Sequence, residues 1–377
     1  MEQVLRKIND VELMVDPYTG QDIYFRKEFS EKLPGNGLSD ILYTLYNEKK
    51  KYVPLSLMIE LTNGCNFNCP FCYIHTCKRK TVFRSGAEII KQLELLIQKG
   101  LLSVSITGGE CMIHPDFIPI YTFLKKNGVL VTVLSNLSRM TDEIFETFQQ
   151  FPPYKVDVSI YAMADAGMAA VTGSPDGTAQ TVLENIIRLK NAGIHVTAKT
   201  AVNTLTAPYI KEIREWCDSH KIEYFNSYEV FENYEHDSME RYSMGAQAIA
   251  KDQKQAHENK YGNQTYTKGS KKMFECKGGQ YGLFISYDNI LRPCMPFYDV
   301  PEANILIGTI GLEKALTELQ KIIERYKGNA LPGCGGCNVA SLCQICVIDY
   351  LRHKESDLLS YMKISCEKNW RDYMPTK

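Results

Sequence analysis

Three cysteines that lie close together in the sequence are the residues best suited to chemistry. Cys65, Cys69 and Cys72 belong to the segment Cys-Asn-Phe-Asn-Cys-Pro-Phe-Cys-Tyr. Three thiolates can bind three irons of a four-iron cluster and leave the fourth iron open to a ligand. The alternative is a zinc site, which usually has four protein ligands, and His75 or Cys77 could supply the fourth. The spacing therefore predicts a metal centre of one of these two kinds.

A second group of seven cysteines lies towards the C-terminus. Its members are Cys276, Cys294, Cys334, Cys337, Cys343, Cys346 and Cys366. Clustered cysteines in a reducing compartment indicate metal ligands rather than disulfides. The group predicts either further iron–sulfur clusters or a pair of zinc knuckles.

Composition narrows the class of protein. The 377 residues include 43 basic and 44 acidic side chains, a net charge of -1 that does not indicate a nucleic-acid-binding protein. Hydrophobic residues make up 44% of the chain, enough for a sizeable core. The first ten residues have no apolar signal region, and no apolar run is long enough for a membrane helix. We therefore expect a cytoplasmic protein whose 13 cysteines stay reduced.

The elements that must position the first three cysteines alternate between strands and helices. The predicted strands are Leu55–Leu61, Ser103–Thr107, Leu130–Leu134, Lys155–Ile160, His195–Ala201 and Glu223–Ser227. The predicted helices are Ala87–Lys99, Phe117–Asn127, Asp142–Gln149, Thr178–Ala192 and Pro208–His220. Six such units predict an α/β fold with a parallel sheet, in the form of a partial (β/α)6 barrel.

The predicted barrel occupies one of four zones. Residues 1–52 form an N-terminal segment, with a hairpin from Val11–Val15 to Asp22–Phe25 and a short helix near Ser39–Asn47. Residues 53–231 form the barrel and residues 232–275 a polar connecting segment. Residues 276–377 form a small cysteine-rich domain with a helix at Leu312–Lys327, and small domains of this kind usually need metal ions for stability.

The first cysteine segment resembles the cluster signature of the radical S-adenosylmethionine (SAM) superfamily, which is CxxxCxxC with an aromatic residue near the third cysteine. The resemblance continues at successive strand ends, where barrel enzymes place their active sites. The cofactor-binding residues that it implies are Tyr73, Gly108, Gly109, Glu110, Ser135, Asn136, Ser159 and Lys199. By family precedent, the Gly-Gly-Glu motif contacts the amino group of the methionine moiety, and its glycines let backbone groups approach the ligand.

The other positions take their expected roles from the same resemblance. Ser135 and Asn136 would contact the ribose, Ser159 would line the cofactor pocket, and Tyr73 would border the adenine. Lys199 is a weaker candidate for binding the carboxylate. The open iron of the Cys65–Cys72 cluster would chelate the amino and carboxylate groups of the methionine moiety.

The second cysteine group resembles the SPASM extension of this superfamily, which holds two auxiliary four-iron clusters. By that resemblance, one cluster takes Cys334, Cys337, Cys343 and Cys366 as ligands. The other takes Cys276, Cys294 and Cys346, and its fourth ligand is unassigned. Two residues separate Cys343 from Cys346, where the family usually has three. Asn289 stands where the family usually has glycine, and asparagine tolerates a left-handed backbone.

The resemblance implies a radical SAM enzyme of the oxidoreductase type. One electron from the first cluster would cleave SAM, and the 5′-deoxyadenosyl radical would abstract a hydrogen from the substrate. The expected substrate is a ribosomally made peptide, with a thioether or carbon–carbon crosslink as the leading product. The expected partners are a precursor peptide and an electron donor such as flavodoxin or ferredoxin. The N-terminal segment could be a reduced peptide-binding module, and a simple barrel cap is the other interpretation.

Three alternatives remain. The first is a sulfatase-maturing enzyme that produces formylglycine, the second is a peptide epimerase, and the third is a zinc-stapled binding protein without activity. Cys217 is predicted to be a buried apolar residue, and Cys77 and Cys111 are more often small packed residues than functional ones. No catalytic acid or base is assigned. The candidates are Asp157, Glu229, Glu232, His195 and Tyr161.

Overall fold

The chain has a mixed α/β fold in the computed structural model. The structure describes residues 4–8, 11–15, 23–25, 42, 54–74, 80–228, 230, 233–235, 240–244, 274 and 276–328, with the backbone alone for the first three segments. None of the described helices combines the length and the apolar character needed to cross a membrane.

The N-terminal strands form a small sheet of their own. Its strands are β1 (Val4–Ile8), β2 (Val11–Val15) and β3 (Ile23–Phe25). They are antiparallel and adjacent in chain order, with Val15 opposite Ile23 across the β2–β3 pair. The predicted hairpin is confirmed, and β1 is an additional strand. The predicted helix near Ser39–Asn47 lies outside the described residues except for Leu42, which is helical and buried.

The main sheet has nine strands, in the order β12-β11-β10-β4-β5-β6-β7-β8-β9. They are β4 (Ser56–Glu60), β5 (Ser103–Thr107), β6 (Leu130–Ser135), β7 (Lys155–Ser159), β8 (Val196–Ala201), β9 (Glu223–Ser227), β10 (Gly282–Ile285), β11 (Ile290–Arg292) and β12 (Ile305–Leu306). Strands β4 to β9 pair in parallel, which confirms the six predicted strands to within one residue at either end.

Helices connect the successive parallel strands from β4 to β9, and further helices follow β9. They are α1 (Gly86–Gln98), α2 (Phe117–Lys126), α3 (Asp142–Gln150), α4 (Asp165–Thr172), α5 (Thr178–Asn191), α6 (Ile210–Ser219), α7 (Lys277–Gln280), α8 (Ile307–Ile310) and α9 (Leu312–Tyr326). The predicted helices are present with shifts of one or two residues. Helix α4 was not predicted, because its sequence Asp-Ala-Gly-Met-Ala-Ala-Val-Thr is short and has no clear apolar stripe.

The core lies between one face of the sheet and the helices. In α1, Ile89, Leu93 and Leu96 recur at helical spacing, and all three are fully buried. In β7, Val156 and Val158 are fully buried, whereas Lys155, Asp157 and Ser159 alternate with them. The second face of the sheet is therefore rich in polar groups.

Strand β10 adds a parallel neighbour to β4, with Gly282 opposite Ser56 and Ile285 opposite Ile59. Strands β11 and β12 continue the sheet in antiparallel pairs. Residues 282–306, which the sequence analysis assigned to a C-terminal domain, thus lie in the same sheet as the strand that leads to Cys65.

Candidate functional site

The loop that carries the first three cysteines follows β4 directly. Cys65, Cys69 and Cys72 are each partly buried, and the backbone N–H of Cys72 donates to the carbonyl of Cys69 at 3.1 Å. We call residues 65–72 the triad loop. The backbone N–H of Asn68, in the middle of the loop, donates to the carbonyl of Thr172 at 2.7 Å. Helix α4 therefore anchors the triad loop through a carbonyl of its last turn, which has no partner within the helix.

The thiols of the triad loop are suited to a bound cation. The pKa of Cys65 is raised to about 12 and that of Cys69 well above its usual value, mainly by burial, and neighbouring thiols of the loop contribute to both shifts. Binding of iron or zinc would supply the positive charge that deprotonated thiols need at this site. Among the described residues, no three His, Cys, Asp or Glu side chains converge closely enough to hold one metal ion. A four-iron cluster has a separate iron for each cysteine, so this donor set fits such a cluster.

The glycines of the Gly-Gly-Glu motif lie against the backbone that enters the triad loop. The N–H of Gly109 donates to the carbonyl of Thr62 at 2.9 Å, and the N–H of Glu110 donates to that of Gly64 at 2.8 Å. A Cβ atom on Gly109 would lie 2.2 Å from the Gly64 oxygen, and Gly108 has a φ of +140°. The motif therefore requires glycine for close contact with residues 62–64, just before Cys65.

Glu110 connects the ends of two strands. Its side chain is 1% exposed and accepts hydrogen bonds from the Ser135 hydroxyl at 2.8 Å and from the backbone N–H of Asn136 at 2.7 Å. The N–H of Met112 donates to it at 3.0 Å. Burial raises the pKa of Glu110. The carboxylate thus fixes the turn after β6, whose two polar residues were predicted to contact the ribose.

Asn136 extends this connection to the triad loop. Its side-chain amide donates to the Asn66 side chain at 3.1 Å and lies 3.8 Å from the Cys65 sulfur. Its own side-chain oxygen accepts hydrogen bonds from Ser138, at 3.0 Å from the backbone N–H and at 2.7 Å from the hydroxyl. The Gly-Gly-Glu turn, the β6 turn and the triad loop therefore form one hydrogen-bonded unit at the carboxyl ends of β4, β5 and β6.

Ser159 and Lys199 lie opposite each other at the ends of β7 and β8. Ser159 forms a side-chain hydrogen bond with Tyr161, whose ring packs edge-on against Phe71 of the triad loop with centroids 5.4 Å apart. The ammonium of Lys199 lies 2.5 Å from Asp157. Asp157 also pairs with Lys155 at 3.0 Å, so this one buried carboxylate is shared between two lysines of the sheet.

Tyr73 contacts a carboxylate that the sequence analysis did not single out. Its hydroxyl donates to Glu60 at 2.9 Å, and its ring lies 5.6 Å from that of Tyr234. Tyr234 also donates to Glu60, at 3.0 Å. The sequence signal that could have identified Glu60 is its position: it is an acidic residue at the end of an apolar strand, five positions before Cys65.

The remaining candidate residues divide between the described and the undescribed parts of the chain. Cys276 is exposed and precedes α7, and Cys294 is partly buried after β11. Cys217 is fully buried on α6, as predicted, and Cys111 is also fully buried. His195 pairs with Glu223 at 3.2 Å on the surface. The residues that lie outside the described part are His75, Cys77, Glu229, Glu232, Cys334, Cys337, Cys343, Cys346 and Cys366.

Asn289 adopts the left-handed conformation that asparagine tolerates. Its φ is +64°, in the turn that connects β10 to β11. The side-chain oxygen accepts hydrogen bonds of 2.9 Å from both Arg84 and Gln92. This residue therefore links the β10–β11 turn to α1 in a way that a glycine could not.

Comparison with known proteins agrees with this geometry. Residues 59–217 match the family model of the Radical SAM superfamily. The chain is 26% identical over 181 residues to the sporulation killing factor maturation protein SkfB of Bacillus subtilis (strain 168), covering 48% of this chain and 44% of SkfB. It is 28% identical over 169 residues to the antilisterial bacteriocin subtilosin biosynthesis protein AlbA of the same strain, covering 45% and 38%.

A third relative is named for a reaction of the nucleotide GTP. GTP 3′,8-cyclase of Actinobacillus pleuropneumoniae serotype 3 (strain JL03) is 27% identical over 208 residues, covering 54% of this chain and 60% of the cyclase. The chain therefore spans less than two thirds of the length of each of these three relatives.

A solved structure shares the fold. SuiB of Streptococcus suis bound to the precursor peptide SuiA has a TM-score of 0.56 at 14% identity, covering 76% of this chain and 72% of SuiB. The family match covers the same region, residues 59–217, that contains the three cysteines and the hydrogen-bonded strand ends. These residues, which include the triad loop, are the part of the chain that is similar to the radical SAM superfamily.

Proposed function

We propose that this chain is a radical SAM enzyme that modifies a ribosomally made peptide. The observation that carries the proposal is the likeness to SkfB and AlbA, which are by name a maturation protein for a sporulation killing factor and a biosynthesis protein for a bacteriocin. The SuiB fold, solved with a precursor peptide, supports the same substrate class. The leading reaction is formation of a thioether or carbon–carbon crosslink.

The residues present fit the cofactors that this function needs. Cys65, Cys69 and Cys72 would hold a four-iron cluster whose open iron binds SAM, and that bound pair would supply a 5′-deoxyadenosyl radical. Glu110 holds the turn of Ser135 and Asn136 beside the cluster loop, so these residues would fix the cofactor's position. We infer that the six parallel strands form a partial barrel with this site at their carboxyl ends.

The finer parts of the proposal concern the C-terminal cysteines. Two auxiliary clusters would take Cys276, Cys294 and the five later cysteines as ligands, within a SPASM-like domain. The unassigned fourth ligand of the Cys276 cluster is compatible with a substrate thiolate.

Two partners are also part of the proposal. A flavodoxin or ferredoxin would supply the electron. The small N-terminal sheet, with its antiparallel strands, has strand edges to which an extended leader peptide could add by β-augmentation.

The test is turnover by anaerobically reconstituted protein. Incubated with SAM, a reductant and each candidate precursor peptide, it should release 5′-deoxyadenosine and remove two hydrogens from the peptide for each crosslink. A peptide mass that is unchanged in H₂O but increases by deuterium incorporation when the reaction is run in D₂O would indicate an epimerase instead. Formylglycine in a sulfatase motif peptide would indicate a sulfatase-maturing enzyme, and zinc without sulfide would overturn the radical mechanism.

A nucleotide substrate is the second candidate, favoured by the likeness to GTP 3′,8-cyclase. The same reconstituted protein incubated with GTP in place of the peptide separates the two. Our proposal expects no conversion of GTP. Conversion of GTP together with unchanged peptides would replace the peptide by a nucleotide.

A further inference from the structure

Glu60 is a fully buried carboxylate at the last position of β4. Its register partner on β5 is Thr107, the residue before the Gly-Gly motif. The chain then continues into the triad loop, with Cys65 five positions later. The carboxylate therefore lies at the end of the sheet where the cluster site is assembled, but nothing above gives it a role there.

Three donors from distant parts of the chain converge on this carboxylate. The hydroxyls of Tyr73 and Tyr234 donate to one oxygen, at 2.9 Å and 3.0 Å. The backbone N–H of Tyr287 donates to the other oxygen at 3.1 Å. An ionised carboxylate only accepts hydrogen bonds, so a carboxylate satisfies all three donors together, whereas an amide at the same place could not.

Each donor belongs to a different segment of the chain. Tyr73 follows Cys72 directly, Tyr234 lies in the connecting segment, and Tyr287 lies in the β10–β11 turn between Cys276 and Cys294. The backbone strengthens the connection, because the N–H of Tyr234 donates to the carbonyl of Tyr73 at 2.8 Å. Glu60 is thus the point at which the triad loop joins the segment that carries the first two cysteines of the second group.

Aromatic and cationic contacts surround this point. The ring of Tyr234 packs against that of Tyr298 at 5.0 Å, and the guanidinium of Arg292 lies 5.4 Å from the same ring. Arg292 also attracts the Glu60 carboxylate electrostatically. The network therefore includes a compensating positive charge, supplied by the segment that contains Cys294.

We propose that Glu60 is a positioning residue that fixes the triad loop against the Cys276–Cys294 segment and places a negative charge beside the cluster loop. The inference rests on the proposed function, since it assumes a cluster on Cys65, Cys69 and Cys72. Removing the negative charge of Glu60 should then make the cluster easier to reduce. Losing its carboxylate as a hydrogen-bond acceptor should misplace the triad loop during SAM cleavage.

The test compares anaerobically reconstituted wild type with Glu60→Gln, Tyr234→Phe and a control, Glu184→Gln, whose carboxylate is exposed on α5. Iron content, the midpoint potential of the triad cluster and the kinetics of 5′-deoxyadenosine release are measured at about pH 8, where Glu60 is ionised because its pKa is about 7. Glu60→Gln should keep its iron, shift the potential to more positive values and lower kcat about tenfold at unchanged KM for SAM. Tyr234→Phe keeps the charge, so it should lower kcat without the shift in potential. Glu184→Gln should match wild type.

The outcomes are distinguishable. If wild type cleaves SAM and Glu60→Gln has the same potential and kcat, this inference is wrong and the proposed function stands. Loss of thermal stability and iron in Glu60→Gln, with no loss of kcat in Tyr234→Phe, would also overturn it, because Glu60 would then serve folding alone. A wild-type protein with neither sulfide nor SAM cleavage would overturn the proposed function and this inference with it.

Discussion

The carboxylate of Glu110 accepts a 2.7 Å hydrogen bond from the backbone N–H of Asn136. The turn that follows β5 therefore holds the turn that follows β6. Because the amide of Asn136 in turn lies 3.8 Å from the Cys65 sulfur, the order of the site depends on a buried carboxylate. This relationship can be tested without any cofactor.

Replacing Glu110 by Gln should destabilise the apoprotein by about 2 kcal/mol, because an amide N–H₂ group would then face a buried donor. Urea unfolding of wild type and variant gives the difference. Glu184→Gln, which changes an exposed carboxylate in the same way, should be within experimental error of wild type. Equal stability of Glu110→Gln and wild type would show that the carboxylate is not needed for the turn.

Replacing Gly109 by Ala should displace the chain that enters the triad loop. The new Cβ would lie 2.2 Å from the Gly64 carbonyl oxygen, and backbone atoms cannot rotate away as a side chain can. We expect a loss of about 2 to 3 kcal/mol in the free energy of unfolding and a lower iron content after reconstitution. Gly308→Ala is the matched control, since a Cβ there meets nothing within 4 Å. A fully loaded, stable Gly109→Ala protein would contradict the close contact.

Stability should depend on pH through Glu60. Burial raises the pKa of this group from 4.5 to about 7, against the hydrogen bonds from Tyr287, Tyr73 and Tyr234 and the attraction of Arg292. The folded protein therefore binds this proton more tightly than the unfolded chain. The contribution to stability is complete below pH 4.5 and is lost as the pH rises to about 7.

A pKa difference of this size corresponds to about 3 kcal/mol. Urea unfolding of the apoprotein between about pH 5 and about pH 8 should show the decrease in wild type and a smaller one in Glu60→Gln. Parallel pH profiles for the two proteins would contradict the raised pKa. The expected trend is opposite to that of an ion-paired carboxylate, which stabilises at high pH.

Removing the three cysteines of the triad loop should remove one cluster and no more. Wild type with three four-iron clusters would hold about twelve irons, and the variant with Cys65, Cys69 and Cys72 all replaced by Ala about eight. The variant should release no 5′-deoxyadenosine. Iron and sulfide analysis on anaerobically purified protein gives the counts, and loss of all iron in the variant would show that the auxiliary sites are not independent.

Two substitutions of Asn289 should separate the contributions of backbone strain and of hydrogen bonding to the free energy of unfolding. Asn289→Gly relieves the left-handed conformation but removes the acceptor for Arg84 and Gln92, so we expect a loss of about 1 kcal/mol. Asn289→Ala removes the acceptor and adds strain, so the loss should be about 2 kcal/mol or more. Chemical denaturation gives the order, and a more stable Ala variant than Gly variant would contradict this account.

The strands and helices of the parallel sheet were predictable because each has its own local pattern. The apolar runs around Val104 and Val156 and the helical spacing of Ile89, Leu93 and Leu96 lie in short windows of sequence. The left-handed conformation of Asn289 agrees with the resemblance, in which glycine usually stands at this position and asparagine is among the few other residues that tolerate the conformation.

Long-range contacts were not predictable in this way. The pairing of β10 with β4, and the convergence of Tyr73, Tyr234 and Tyr287 on Glu60, join residues far apart in the chain. The periodic pattern of apolar residues gives no information about which distant residues pair with each other. Helix α4 was missed for a different reason: its role is to hold the triad loop through Thr172, and its small residues give no strong amphipathic pattern.

The parallel pairing of β10 with β4 has a consequence for how this chain can vary in length. Neighbouring strands lie about 4.8 Å apart whatever the connection between them. Insertions or deletions between residues 245 and 273 would therefore leave the strand before Cys65 and the strand after Cys276 side by side. Relatives whose chains differ greatly in length between these two strands can keep the same spacing of their metal-binding segments, so gaps in a sequence alignment there do not indicate a different active site.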